Sequence, residues 1–413
     1  MEAEPNGFDA SIKSHRLPRP DDPCYSDDET RRGSPFGRAR AFAVLGTTMG
    51  ETLSASADRF GGRRRSGAET EVFAALDLGT NNCRLLVATP AAGGFRIIDA
   101  YSRIVRLGEG LSQTGRLTEA AMERALAALS VCAQKIGRRG AKRVRAVATQ
   151  ACRSATNGAQ FIDMVTERTG LRLSVISPRE EARLAVAGCL NLLDFNAQAA
   201  LVLDVGGGST ELSWVDLTAP GLDVPARKLA HWRLPIRAWL SVPLGVVTLA
   251  ERFPQGAADE RGFRAMVELV KAEVAAFARA ESFREVFAAG RAHLVGTSGA
   301  ITSLAGLHLG LERYDRNRVD GLWMTRSQCE AVAARLSAMT VAERGAQPCI
   351  GPDRADLVLA GAAILQAVQE VWPCERVRVA DRGLREGLLL SLMSDQRPRR
   401  RRRPRGGRAT ALA

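Results

Sequence analysis

The sequence predicts an α/β protein built as two similar lobes around a central cleft. Two observations carry this expectation. The first is a pair of matching segments, Leu76-Asp77-Leu78-Gly79-Thr80-Asn81-Asn82-Cys83-Arg84-Leu85-Leu86 and Leu203-Asp204-Val205-Gly206-Gly207-Gly208-Ser209-Thr210-Glu211-Leu212-Ser213. In each, an apolar run ends in Asp-x-Gly, turns through small polar residues and returns to apolar or alternating residues, which reads as strand, tight turn, strand. The second is that strand-like and helical periods alternate after each turn, so one supersecondary design occurs twice. Such turns aim several backbone N–H groups at one spot and bind anions. Two of them, each opened by an Asp, suggest a phosphate chain held between related lobes with a metal ion at the Asp.

The elements follow in order. Val72–Leu76 and Cys83–Ala88 pair across the first turn, and Phe95–Ala100 is a further strand. Thr118 starts a helix with Glu119 in its first turn, and Met122, Leu126, Leu129, Ala133 and Ile136 fall on one face. Val144, Ala146 and Ala148 form a strand, as do Leu171, Leu173 and Val175. Ser177-Pro178-Arg179-Glu180 is a capping box, with Pro at the first helical position, and the helix runs through Leu184, Val186 and Leu190. Ala200–Val205 opens the second lobe. A helix is expected over Ala265–Ala280, a strand over His293–Val295 before Gly296-Thr297-Ser298-Gly299, and a helix over Leu357–Val371. Val377–Ala380 is a strand before Asp381-Arg382-Gly383, and Leu384–Met393 is the last helix.

Composition bounds the rest. The 413 residues suit two or three domains, and 46% are apolar, enough for a sizeable core. Residues 1–70 lack a sustained period and are expected to be a disordered extension. The lobes are expected at residues 71–194 and 195–395, followed by a disordered Arg-rich tail, 396–413. The net charge is +13, but the tail alone holds eight Arg and no acid, so the body is only mildly basic. None of the eight Cys forms a C-x-x-C pair, which favours the buried, reduced thiols of a cytoplasmic protein. Only four scattered His are present, which argues against a histidine metal site or triad. No apolar run reaches membrane-span length and the N-terminus does not read as a secretory signal. The Arg tail suits polyanions, but without interleaved aromatics it gives no case for specific nucleic-acid binding.

Attack of water on phosphorus needs a base, a cation for the phosphate oxygens, and donors that fix geometry. Glu181 is the candidate base: Glu180 is expected to turn back to the cap, while Glu181 points elsewhere with its carboxylate kept ionised by the helix dipole. Asp204 ends a buried strand, where a hydrated Mg²⁺ would offset the cost of an unpaired carboxylate, and Glu211 brackets the same turn. Gly206, Gly207 and Gly208 let backbone approach phosphate, and Ser209 and Thr210 add hydroxyls. Asp77, Gly79, Thr80, Asn81 and Asn82 play matching parts in the first turn. Arg153 follows a strand and could clamp phosphate. Taken alone, Glu180-Glu181 is an ordinary helix start and Arg153 an ordinary surface residue.

Considered together, the segments Leu76–Leu86, Ala148–Asn157, Ile176–Gly188, Val202–Leu212, Gly296–Gly299, Gly361–Leu365 and Asp381–Leu388 resemble the exopolyphosphatase / guanosine pentaphosphate phosphatase family, in the family's order over residues 72–394. The resemblance implies two actin-like (ribonuclease H-like) lobes and hydrolysis of a terminal phosphoanhydride with Mg²⁺ or Mn²⁺. It implies inorganic polyphosphate as substrate, guanosine pentaphosphate as the sibling possibility, and leaves a homodimer open. Glu181 looks like the family's water-activating base, Asp204 and Glu211 like its metal-site carboxylates, and Asn81, Arg153, Gly206 and Ser209 like its phosphate ligands. The chain departs from the usual pattern at Thr80, Asn82-Cys83, Pro178 and Arg382. It has the Arg tail where long members continue into a helical region, so a short two-domain form is expected. The rivals are an actin-like kinase or ATPase, with a purine pocket near Gly296–Gly299, and a non-catalytic sensor of polyphosphate or an alarmone.

Overall fold

The structure, a computed structural model, describes residues 71–92, 94–219, 234–253, 260–275 and 281–394. Both expected tails, 1–70 and 396–413, lie outside the described residues.

Two sheets organise the chain. The first contains β1 (Phe73–Leu78), β2 (Asn82–Ala91), β3 (Gly94–Ile104), β4 (Arg143–Ala148) and β5 (Leu173–Val175), in the order β3-β2-β1-β4-β5. The second contains β6 (Ala199–Val205), β7 (Thr210–Asp216), β8 (Ile236–Val242), β9 (Ala292–Thr297), β10 (Trp323–Thr325) and β11 (Arg376–Ala380), in the order β10-β11-β9-β6-β7-β8. Apart from β10, added at one edge, the second order repeats the first strand for strand. In both sheets an antiparallel hairpin, β1-β2 or β6-β7, is flanked by a parallel neighbour, β4 or β9. This is the duplicated architecture expected of two actin-like lobes.

The central strands read as continuous apolar runs because both faces of each sheet are covered. Ala74, Leu76 and Leu78 face one side of the first sheet, against the helix α1 (Glu119–Arg138), which Thr118 caps by accepting from Ala121 N. Phe73 and Ala75 face the other side, against Leu184, Leu388 and Leu389. Those last residues belong to α2 (Pro178–Cys189) and α3 (Leu384–Ser394), which join the lobes. α2 also buries Val186 and Cys189 against the second sheet. The pair crosses closely: a Cβ on Gly387 would lie 2.1 Å from the Leu184 carbonyl oxygen.

Several expected boundaries shift: the strands expected over Val72–Leu76, Phe95–Ala100 and His293–Val295 run Phe73–Leu78, Gly94–Ile104 and Ala292–Thr297. The helix expected over 265–280 runs Glu260–Ala275, with 276–280 outside the described residues, and α2 gives way at Leu190 to a 3₁₀ turn. The lobes also meet away from α2 and α3. Arg106 binds Asp356 through both guanidinium ends at 2.9 and 3.1 Å, and Gly110 N donates to Glu251 Oε1 at 3.0 Å. Among the described residues no helix is long and apolar enough to cross a membrane, and the seven cysteines are buried without a disulfide.

Candidate functional site

Each hairpin turn is closed by the same hydrogen bond. Gly79 N donates to Asn82 O at 2.8 Å, and Gly206 N donates to Ser209 O at 2.9 Å. The turns meet face to face across the cleft. A Cβ on Gly207 would lie 3.0 Å from Asn81 N and from Thr80 Cβ, and one on Gly208 would lie 2.8 Å from Thr80 Oγ1. Glycine is therefore required there by the opposing turn, not by any unusual dihedral.

One cavity opens beneath this contact. Its walls include Asp77, Gly79, Thr80, Asn81, Asn82, Glu181, Asp204, Gly206, Gly207, Gly208 and Ser209. Three residues expected at the site do not line it. Thr210 Oγ1 donates to Leu244 O at 2.7 Å and so faces its own lobe. Glu211 lies behind the wall, accepting from Ser209 Oγ at 2.8 Å and Ser241 Oγ at 2.9 Å. Arg153 engages Glu181 instead, Nη1 to Oε2 at 3.1 Å.

The start of α2 corrects two expectations. Ser177 Oγ accepts from Glu180 N at 3.2 Å, but the Glu180 carboxylate pairs with Arg145 of β4 and does not return to the cap. A charged donor on the neighbouring strand outcompetes a neutral backbone N–H. Glu181 is only 8% exposed. Burial pushes its carboxyl well above the usual carboxylate range, Glu211 adds to this, and Arg153 opposes it. The expected hold of the helix dipole does not prevail: a dipole supplies about 0.3–2 kcal/mol, whereas full desolvation of a carboxyl costs up to roughly 4–7 kcal/mol.

The other carboxyls share this environment. Burial pushes Asp204 up to about 8, with Glu211 and Asp77 adding and Arg84 opposing. Burial likewise raises Asp77 against the pull of Arg84. Glu211 is raised by burial despite its two serine donors. Nearby, the side-chain Oδ1 atoms of Asn81 and Asn82 are buried with no hydrogen-bond partner among the described residues. Crowded, desolvated carboxyls beside orphaned amide oxygens suit a hydrated divalent cation. Among the described residues no three His, Cys, Asp or Glu side chains form a preformed metal site. An ion at Asp204 would therefore complete its shell with water and phosphate oxygens, which is how Mg²⁺ is commonly held.

Sequence reasoning missed the basic side. Arg84, Arg354 and Arg385 line the cavity, and they also line an adjoining cavity that Asp77, Glu181 and Asp204 do not reach. The adjoining cavity also carries Arg316, Asp353 and Asp381, so beyond the turns arginines outnumber carboxyls four to two. Burial and the charges of Arg385 and Arg354 hold Arg84 below the usual arginine range. An anion placed among the three would relieve that repulsion. Arg84 carries a readable signal, since it is a charge inside an otherwise apolar strand; Arg354 has none. Ser298, also in the wall, has φ 135°, a strain that persists only where surroundings impose it.

The chain is similar in sequence and fold to proteins of one family. The sequence model of the Ppx/GppA phosphatase family matches residues 86–396. Exopolyphosphatase 2 of Mycobacterium tuberculosis is 30% identical over 333 residues, which is 77% of this chain and 98% of that protein. The crystal structure of the Aquifex aeolicus Ppx/GppA family member is 28% identical, with TM-score 0.62 over 79% of this chain and 99% of that one. An exopolyphosphatase structure from Cytophaga hutchinsonii, 23% identical, shares the fold with TM-score 0.68 over 79% of this chain and 98% of that one.

Proposed function

The chain belongs to the Ppx/GppA phosphatase family, and from that premise we propose that it is an exopolyphosphatase, hydrolysing the terminal phosphoanhydride of inorganic polyphosphate to release orthophosphate. The observation that carries the reading is a buried glutamate, Glu181, in the wall of a cavity roofed by two opposed glycine turns and continued by three arginines.

The backbone and hydroxyls of the two turns bind the terminal phosphate: Gly206, Gly207, Gly208 and Ser209 from one side, Gly79, Thr80, Asn81 and Asn82 from the other. Arg84, Arg354 and Arg385 hold the chain behind it. Its polyanionic character matches their mutual repulsion. Asp204, with Glu211 behind it, would hold Mg²⁺ or Mn²⁺. When bound, such an ion draws charge from the phosphate oxygens and lowers the cost of burying these carboxylates. Glu181 takes the proton from water aligned with the scissile bond. Burial raises its proton affinity above that of an ordinary carboxylate, which favours taking up that proton. The fit of buried thiols to a reducing compartment supports a cytoplasmic setting.

The test is phosphate release from long polyphosphate, short polyphosphate and guanosine pentaphosphate, with no other nucleotide present. Glu181→Gln is expected to lower kcat by ~10²–10⁴-fold while polyphosphate binding remains. Undiminished release by this variant overturns the assignment. Preference for guanosine pentaphosphate over both polymers would move the substrate to the sibling activity.

A further inference from the structure

We propose that Arg153 is a positioning residue, clamping the Glu181 carboxylate to the first lobe, and is not a ligand of the substrate phosphate. Arg153 lies on the short helix Gln150–Ser154, directly after β4. Its guanidinium ties three points together. Nη1 donates to Ile176 O at 2.7 Å and to Glu181 Oε2 at 3.1 Å, and Nη2 donates to Gln150 Oε1 at 2.6 Å. Ile176 immediately precedes the Ser177 cap, so one planar group ties its own short helix, the entry to α2 and the carboxylate on the first turn of α2. Both side chains are largely buried, at 19% and 10% exposed.

Three features separate this from a phosphate contact. Glu181 and Gln150 line the cavity, but Arg153 does not. The cavity already has Arg84, Arg354 and Arg385 for anionic oxygens. Swinging Arg153 toward substrate would break its bonds to Ile176 and Gln150 and strip a buried carboxylate of its cation, a costly rearrangement. The clamp also leaves Glu181 Oε1 without a hydrogen bond to any described residue, so that oxygen is left to accept a proton from water.

The inference rests on Glu181 being the base, and the test separates the two. Wild type, Arg153→Gln, Glu181→Gln and the double variant are compared for kcat, KM and equilibrium binding of polyphosphate. Arg153→Gln is expected to lower kcat about 10²-fold, the scale of a small misplacement, with KM within roughly threefold. Because Arg153 acts through Glu181, the double variant is expected to match Glu181→Gln in residual rate and in affinity. A rise in KM with kcat retained, or tenfold weaker binding by the double variant than by Glu181→Gln, overturns the positioning role while leaving the base intact. Full activity of Glu181→Gln instead overturns the base assignment. If melting curves show that Arg153→Gln does not fold, Arg153→Lys serves. It keeps the buried charge but cannot reproduce the fork, and a fall of about tenfold in kcat at unchanged KM is expected.

Discussion

The two glycine turns share a hydrogen-bond plan and differ in what stands opposite the aspartate. In the first lobe Asp77 faces Arg84 across the hairpin; in the second, at the same register position, Asp204 faces Glu211. One turn is balanced by its own guanidinium and the other gathers a second carboxylate. The turns also divide the remaining work. The first presents side chains, Thr80, Asn81 and Asn82, and is braced by backbone: Val105 N donates to Asn81 O at 2.9 Å and Gly108 N to Thr80 O at 2.9 Å. The second presents bare backbone and rests on the start of the helix Val246–Arg252, whose Val246 N and Val247 N donate to Gly206 O and Gly207 O at 3.0 and 2.8 Å. Duplication supplied two frames; divergence made one a polar claw and the other a glycine cradle with surplus negative charge. That surplus is the ground for proposing a cation at the second lobe.

The strongest way to break this contrast is to neutralise the two aspartates separately. Asp204→Asn is expected to lower kcat by ~10²–10³-fold, since it removes the cation's anchor. Asp77→Asn, beside its own Arg84, should lose about tenfold. The reverse ranking in a phosphate-release assay would place the ion in the first lobe. Exchange of glycines comes next. Gly207→Ala pushes a methyl against Asn81 and Thr80 and is expected to cost kcat/KM about 10–100-fold through a displaced turn. Gly79→Ala meets Asn82 O at 3.5 Å and Thr149 Oγ1 at 3.9 Å, ordinary contacts, and should change stability and rate little, within ~0.5 kcal/mol.

A subtler effect is on stability against pH. In metal-free protein the folded state keeps a proton on Asp204 that the unfolded chain releases, so this group's contribution is greatest below the unfolded value, roughly 3.9. It is lost as pH rises toward about 8. Melting temperatures with chelator should therefore fall over that window, and Asp204→Asn should flatten the decline. Adding Mg²⁺ should restore wild type at the alkaline end. A pH-independent difference between the two proteins would count against a desolvated carboxyl. A small effect on substrate capture is expected from removing residues 396–413. KM for long polyphosphate should rise roughly two- to fivefold and its salt dependence should flatten, with short chains unaffected.

Much of the frame was legible because it is locally encoded. The buried runs of β1 and β6, the Thr118 and Ser177 caps and the closure of both turns depend on residues a few positions apart. Glu181 was legible as a candidate because it follows a cap, but the upward shift of its carboxyl was not, since burial sets it and Glu211 and Arg153 then reach it from other elements. Thr210 shows the limit of motif reading: it belongs to the glycine-rich segment, yet strand alternation turns its hydroxyl to Leu244. Arg354 ends the short 3₁₀ turn Pro352–Arg354, which is too brief to carry a periodic signal.

From the chain alone came two α/β lobes and the twin turns, because backbone periodicity and turn chemistry are short-range properties, and its motif segments resembled a known family. Only tertiary structure decided which groups share the cleft. Charge coupling and desolvation depend on distances between segments far apart in sequence. Packing α2 against α3 and one turn against the other brings Glu181, Asp204 and the three arginines into a single cavity, and it turns Arg153 away from that cavity and onto Glu181.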